Sequence, residues 1–267
     1  MIFFPFRSYP ESHLEVIADS TTSPLTLESF ALLRLTKNTM FSGTLDEREA
    51  ACVLMRGQAK MWVDDLFLGE TETRESVFSS PAWTFYIPPR SFYRIEVQED
   101  SEFAVVLAQA TGKNEACMIP PSEVAIQRVG EDSYVRDVHT IIGSSFPAQT
   151  FIVGETFNQP GLWSSYPPHR HEENHPPHEY ELEEVYHYRL CPEQGFGVQC
   201  LYTDDKRYEN AYLVKNGDTC VIPCGYHPVA AAPGYRLYYF WSLAGKKRIL
   251  SPHEDPAHQW VHAEKKG

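Results

Sequence analysis

Apolar positions along this chain come in short runs, not in long helical stripes. Residues 51–55, 60–63, 83–87, 93–97 and 103–107 are rich in aliphatic, aromatic or β-branched side chains, and Gly, Pro, Asp or Ser separates them. The second half repeats the style at 182–190, 197–202, 211–214, 219–222 and 237–243. Runs of this length with this punctuation predict strands joined by turns. Helical signals are confined to two short stretches, 25–35 and 121–129. Many short strands at regular spacing predict an all-β sandwich or barrel architecture.

A weak internal repeat suggests that the pattern occurs twice. Ile87-Pro88-Pro89-Arg90-Ser91-Phe92 precedes one predicted strand, and Ile222-Pro223-Cys224-Gly225-Tyr226-His227 precedes Pro228-Val229. In both copies a strand ends at Ile-Pro and turns into another, and His227 of the second copy aligns with Phe92 of the first. Pro120-Pro121 and a polar stretch interrupt the strand pattern, so two barrels are expected, over 1–125 and 126–267.

Composition narrows the partners. Lys plus Arg number 23 and Asp plus Glu 36, a formal charge of −13. An acidic surface argues against nucleic acid or an anionic membrane as partner, since both need a basic footprint. A small anion remains compatible, because a few local arginines can hold one carboxylate. The six cysteines are widely spaced, which fits free thiols in a reducing, cytoplasmic compartment. Strand parity places Cys220, Ile222 and Cys224 on one face, a core-packing pattern. The apolar start at residues 1–6 lacks the basic and extended apolar regions of a signal peptide, and no apolar run approaches a bilayer span.

The chemistry concentrates in the second half. Five of the 11 histidines, His169, His171, His175, His178 and His187, lie between residues 169 and 187. His169-Arg170-His171 is an HxH. On a strand, residues i and i+2 share a face, so both imidazoles can address one ion while Arg170 points away. His227 offers a third imidazole. For a carboxylate ligand the residues leave several candidates: Glu183 or Glu184 on a predicted strand, or Glu172, Glu173 or Glu179 before it. Parity separates Glu183 from Glu184 without choosing between them. His175 and His178 sit in a Pro-rich stretch and read as loop.

Longer words in the sequence resemble a known family. Gly217, five residues and then Pro223-Cys224-Gly225 resemble the second motif of the cupin superfamily, although only Tyr226 separates that glycine from the histidine where cupins usually have two residues. Gly161-Leu162-Trp163-Ser164-Ser165-Tyr166-Pro167-Pro168-His169-Arg170-His171 is similar to the G-x-W-S-S-[YW]-P-P-H-K-H segment of the 5-deoxyglucuronate isomerase family. Residues 182–188, Gly195-Phe196, 202–205 and 223–229 also resemble it, as does Thr73-Arg74-Glu75-Ser76-Val77-Phe78 in the first half, and Arg136 with Val138-His139 resembles the linking segment. The resemblance is dense over roughly 130–262 and sparse before it.

The resemblance implies two cupin (double-stranded β-helix) barrels, a bicupin, with one divalent transition metal per chain (Zn, Mn, Fe or Co) in the C-terminal barrel only. Carried over position by position, its ligands are His169, His171, Glu184 and His227. The implied reaction interconverts 5-deoxy-D-glucuronate and 5-dehydro-2-deoxy-D-gluconate in myo-inositol catabolism. This substrate is a small sugar acid with a remote carboxylate, which a guanidinium would recognise best. Arg74 and Arg136 are the candidates. Tyr166, Tyr186, Tyr226 and Tyr239 are candidates for sugar contacts, and Asp204-Asp205 for a base, though a hairpin turn explains that pair as well. The expected partner is thus the sugar acid, with no nucleic acid and no membrane; a homo-oligomer is compatible with the sequence. Competing readings are another uronate ketol-isomerase, an Fe-dependent dioxygenase and a non-catalytic sugar-acid-binding cupin.

Overall fold

The protein is described by a computed structural model covering residues 1–8, 12–112 and 114–262. The chain divides into two compact units. One comprises Arg7–Ala125 and His139–Gly154, the other Met1–Phe6, Ile126–Val138 and Glu155–Gly267. Relative to a single division after residue 125, two short segments are exchanged.

The larger part of the first unit is a six-stranded antiparallel sheet in the order Cys117–Ile119, Thr84–Ile87, Arg48–Arg56, Ser101–Gln109, Glu28–Leu35, His13–Ala18. A four-stranded sheet, Met40–Thr44, Phe92–Val97, Ala59–Val63, Leu66–Glu70, accompanies it. Alternation in Phe92–Val97 sends Tyr93, Ile95 and Val97 inward and leaves Phe92 47% exposed. Leu33, Leu54, Met61, Phe85, Ile95 and Phe103 meet between the two sheets as one core. The segment His139–Gly154 joins this unit through Glu49. That fully buried carboxylate accepts the amides of Gln149 and Thr150 at 2.9 and 2.7 Å and the hydroxyl of Tyr86 at 2.7 Å.

Both helical expectations fail here. Residues 28–35 form a strand, paired on one side with Ser101–Gln109 and on the other with His13–Ala18. Burial along nearly its whole length explains the continuous apolar pattern, which a buried strand and a helix share. Within 121–129, one 3₁₀ turn at Pro121–Glu123 leads into the strand Ala125–Val129.

In the second unit, Phe3–Phe4, Thr219–Ile222, Glu183–Cys191 and Arg236–Ala244 are neighbours in that order. The apolar N-terminus is thus an edge strand, and Asp218 accepts the Phe6 amide at 2.7 Å. A second sheet contains Trp163–Ser164, Val229–Ala231, Phe196–Tyr202 and Glu209–Lys215, and His169–Arg170 pairs with His253–Glu254. Val185, Leu201, Val221, Val229, Leu237 and Phe240 are buried in this unit. All six cysteines are free thiols; Cys220 is in the core, while Cys224 lies past its strand in a turn and is half-buried. No helix among the described residues is long and apolar enough to cross a membrane.

Candidate metal centre

The strand Glu183–Cys191 pairs with Thr219–Ile222 on one side and Arg236–Ala244 on the other, so its register is fixed from both flanks. Its period-2 alternation puts Glu184 and Tyr186 on the wall of one cavity. Tyr188, next on that face, donates its hydroxyl to Gln199 at 2.8 Å. His187 points to the other face, where Nδ1 meets Thr219 Oγ1 at 2.9 Å.

His171 and His227 reach Glu184 from two other segments. His171 Nε2 lies 3.1 Å and His227 Nε2 3.2 Å from the same Glu184 oxygen, and all three side chains are buried. The other nitrogen of each ring faces a carbonyl: His171 Nδ1 is 2.7 Å from Leu182 O, and His227 Nδ1 is 2.9 Å from Gly225 O. Nδ1–H is the only donor these contacts allow, so in the neutral rings each Nε2 presents a lone pair. Two imidazole lone pairs and a carboxylate oxygen therefore converge on one point, an arrangement that only a cation or a shared proton makes favourable. His227 Nε2 is buried, off hydrogen-bonding geometry to Glu184, and has no other partner among the described residues. Backbone carbonyls fixing the remote ring nitrogen are the usual support of a metal-bound histidine. The donor set fits a cation.

Electrostatics agree. Burial pushes the Glu184 carboxyl up, but its contacts with His171 and His227 outweigh this and hold it at about 2. Burial pushes the His171 imidazolium down, yet the Glu184 contact raises it overall. His169 is driven well below the usual range, first by burial and then by the neighbouring His227 and His171 rings, and so stays neutral. Its ring is 4.9 Å from that of His227, edge to face, and it lines the same cavity. The tight three-residue convergence is His171, Glu184 and His227; His169 stands next to it.

The cavity has a volume of about 110 Å³. Beyond the histidines it is walled by hydroxyls (Thr156, Ser165, Tyr186, Tyr239), by Arg136, and by apolar Val138, Trp241, Leu243 and Leu250. Tyr186 and Ser165 hydroxyls are 2.9 Å apart, Ser164 and Tyr239 hydroxyls are hydrogen-bonded, and the Tyr186 and Tyr239 rings pack at 4.4 Å. Burial raises both phenols, so they remain protonated at neutral pH.

The other expected site residues separate clearly. Arg74 is a correction: it is fully buried in the first unit, donating to Leu54 O at 2.6 Å, Ser80 O at 2.8 Å and Val77 O at 3.3 Å. Carbonyls consume its fork, so it holds turns together. The Tyr166 ring packs on Tyr134 and Trp163 and lines a different cavity with Tyr202 and Pro228. Tyr226 is buried beneath the Arg170 guanidinium, 5.7 Å away. Asp205 closes a turn by accepting Thr203 Oγ1 and the Arg207 amide. His175 is exposed and pairs with Glu173 at 2.7 Å.

Two supports were not foreseen in the sequence. Glu172, Glu173, Glu179 and Asp204 all gather around the Arg170 guanidinium, at 2.9–3.5 Å. These glutamates therefore serve the back of the HxH strand. Glu172 also accepts the Gly225 amide at 2.7 Å, and the Gly225 carbonyl holds His227. Gln199, fully buried, donates to the His227 carbonyl at 2.8 Å. Gly225 has φ +86°, and a Cβ there would lie 2.6 Å from Tyr202 O. At the aligned turn of the first unit Arg90 takes φ +60°, and the following Phe92 points outward where His227 is fully buried.

Comparison with known proteins places this geometry. The KduI/IolB family model matches residues 7–261. A 5-deoxy-glucuronate isomerase of Geobacillus thermodenitrificans (strain NG80-2) is 40% identical over 234 residues, 87% of this chain and 85% of that protein. One from Bacillus subtilis (strain 168) is 33% identical over 261 residues, 94% and 96% of the two chains. Among solved structures, an IolB-like protein from Salmonella typhimurium LT2 superposes with a TM-score of 0.93 at 30% identity, covering 98% of this chain and 99% of its own. The oxalate decarboxylase of Lactobacillus farciminis in a formate complex gives 0.69 at 12% identity over 99% and 90%. At that identity the likeness concerns the fold alone, which is that of the cupins. Matched over nearly its whole length by the family and by relatives at 33–40% identity, the chain belongs to the KduI/IolB family.

Proposed function

We propose that this chain is an aldose–ketose isomerase converting 5-deoxy-D-glucuronate to 5-dehydro-2-deoxy-D-gluconate in myo-inositol breakdown, with a divalent transition metal held by His169, His171, Glu184 and His227. Its relatives named 5-deoxy-glucuronate isomerase support the substrate. The observation that carries the site is the buried convergence of two imidazole Nε2 lone pairs on one Glu184 oxygen. Three neutral imidazoles and one carboxylate suit Zn²⁺, Mn²⁺, Fe²⁺ or Co²⁺ better than Mg²⁺ or Ca²⁺. A cation of this kind polarises a carbonyl and acidifies the adjoining hydroxyl and C–H.

The reaction moves one hydrogen from C2 to C1 and one proton from the C2 oxygen to the C1 oxygen, so it needs no external oxidant. The chain's own groups supply order around those atoms. The phenols of Tyr186 and Tyr239, pinned by Ser165 and Ser164, offer fixed hydroxyls to the sugar. Trp241, Leu243, Val138 and Leu250 make part of the wall apolar, which limits water around a reactive carbonyl. Trp241 is held in turn by its indole N–H on Thr156 at 3.0 Å.

The test is anaerobic turnover. Exhaustive chelation with dialysis should abolish conversion of the acid, and one equivalent of a divalent transition metal should restore it without O₂. Turnover that survives complete metal removal, or that requires O₂, contradicts the proposal.

A further inference from the structure

We infer that Arg136 forms an anion subsite in the wall of the metal cavity and holds the carboxylate that lies remote from the reacting carbons. The identity of the ligand rests on the isomerase reading above; the subsite itself rests on how Arg136 is built in.

The protein is acidic, and several of its arginines find carboxylates: Arg170 gathers four, Arg34 pairs with Glu102 at 3.0 Å, and Arg128 with Asp137 at 3.4 Å. Arg136 lines the cavity half-buried and makes no ion pair among the described residues. Its Nη1 donates to two main-chain carbonyls, Tyr134 O at 3.1 Å and Tyr166 O at 3.2 Å. Those bonds fix the guanidinium without compensating its charge, and its other N–H groups meet no acceptor among the described residues. The cradle is specific: Gly130 has φ +79°, and a Cβ there would lie 2.7 Å from Arg136 Nη1.

Among the described residues no lysine or second arginine lines the cavity, and the one carboxylate there, Glu184, is already engaged by His171 and His227. An unpaired, partly desolvated guanidinium beside a metal cluster calls for an anion, and its planar fork matches a carboxylate. With the hydroxy-aldehyde end directed to the histidines and the acid end to Arg136, one molecule satisfies both charges. A neutral sugar satisfies only one.

The experiment compares 5-deoxyglucuronate with its uronamide, in which a neutral amide replaces the carboxylate. Equilibrium binding to the metal-loaded protein by calorimetry gives the acid-to-amide preference independently of turnover, and kcat and KM are measured beside it. The wild type should prefer the acid by on the order of 100-fold, the scale of a paired buried charge. Arg136→Gln should collapse that preference towards one, chiefly through KM. Arg136→Lys should keep part of it, since the charge remains without the fork, and it carries the test should the glutamine variant not fold. Equal binding of acid and amide by the wild type, or an acid preference unchanged in Arg136→Gln and Arg136→Lys, would overturn the inference. If acid preference depends on Arg136 but no isomerisation occurs, the subsite stands and the isomerase reading falls. Isomerisation of acid and amide with equal efficiency gives the reverse.

Discussion

Replacing Glu184 by glutamine separates the metal from the fold. The residue is 4% exposed, and one of its carboxylate oxygens lies 3.1 and 3.2 Å from two imidazole nitrogens. With a cation bound, the substitution would remove the one carboxylate that the described residues bring to the cluster. Breaking a buried ion pair costs about 3–5 kcal/mol, or ~10²–10³-fold or more in affinity. In the metal-free protein the glutamine amide can donate to His171 or His227 Nε2 without an added proton, so the fold should change by only about 1 kcal/mol. Metal at ~100 times its Kd stabilises the wild type by about 2.7 kcal/mol. At ~2–4 °C per kcal/mol this raises Tm by roughly 5–10 °C. With affinity down ~100-fold, the same metal concentration gives only about 0.4 kcal/mol, roughly 1 °C. The assay is thermal unfolding with and without metal, alongside metal content. Glu183→Gln, on the opposite face of the strand, should keep the wild-type shift. A metal-induced shift kept in Glu184→Gln and lost in Glu183→Gln would refute the register.

Arg74→Gln should lower Tm by several degrees, since each buried carbonyl left without its donor costs about 1–3 kcal/mol, while KM for the acid stays unchanged in the folded protein. A selective rise in KM would return Arg74 to the substrate. Gly225→Ala should weaken metal binding as well as stability, because a Cβ at φ +86° would strike Tyr202 O and displace the carbonyl that holds His227; unchanged metal affinity by competitive titration would dispute that coupling. Protons compete with the cation for the same lone pairs, so metal affinity should fall as pH drops through the raised pKa of His171; an affinity flat from neutrality to about pH 5, below the ordinary ~6.5 of imidazole, would contradict this. In the metal-free protein the sign reverses for His171: its raised pKa contributes stability fully present below the unfolded value and lost as pH rises through the folded one, while Glu184 contributes stability lost as pH falls towards about 2.

The strand pattern and the HxH were legible because both follow from period-2 alternation. Glu184, Tyr186 and Tyr188 share a face as parity requires, and His187 takes the other. Residues 25–35 misread as helical because a strand buried on both faces loses its alternation. Arg74 misled for a different reason: a guanidinium's role depends on what meets its donors, and here the main-chain carbonyls of Leu54, Val77 and Ser80 do so, which residue type alone does not reveal. Arg136 shows the reverse: among the described residues it meets carbonyls and no carboxylate, which its place in the sequence does not reveal. Gln199 and the Glu172–Gly225 link escaped notice since their partners are 28 and 53 residues away, and no local spacing marks such contacts. The exchange of Met1–Phe6 and His139–Gly154 between units likewise rests on long-range hydrogen bonds to Asp218 and Glu49.

If this cavity isomerises a uronic aldehyde, the change occurs at its C1–C2 end. Metal-loaded protein incubated with 5-deoxyglucuronate and followed by proton NMR tests it directly. The C1 aldehyde and hydrate signals should disappear, with matching growth of hydroxymethyl-ketone protons and no O₂ consumed. Aldehyde signals that persist unchanged with saturating metal and substrate would contradict it.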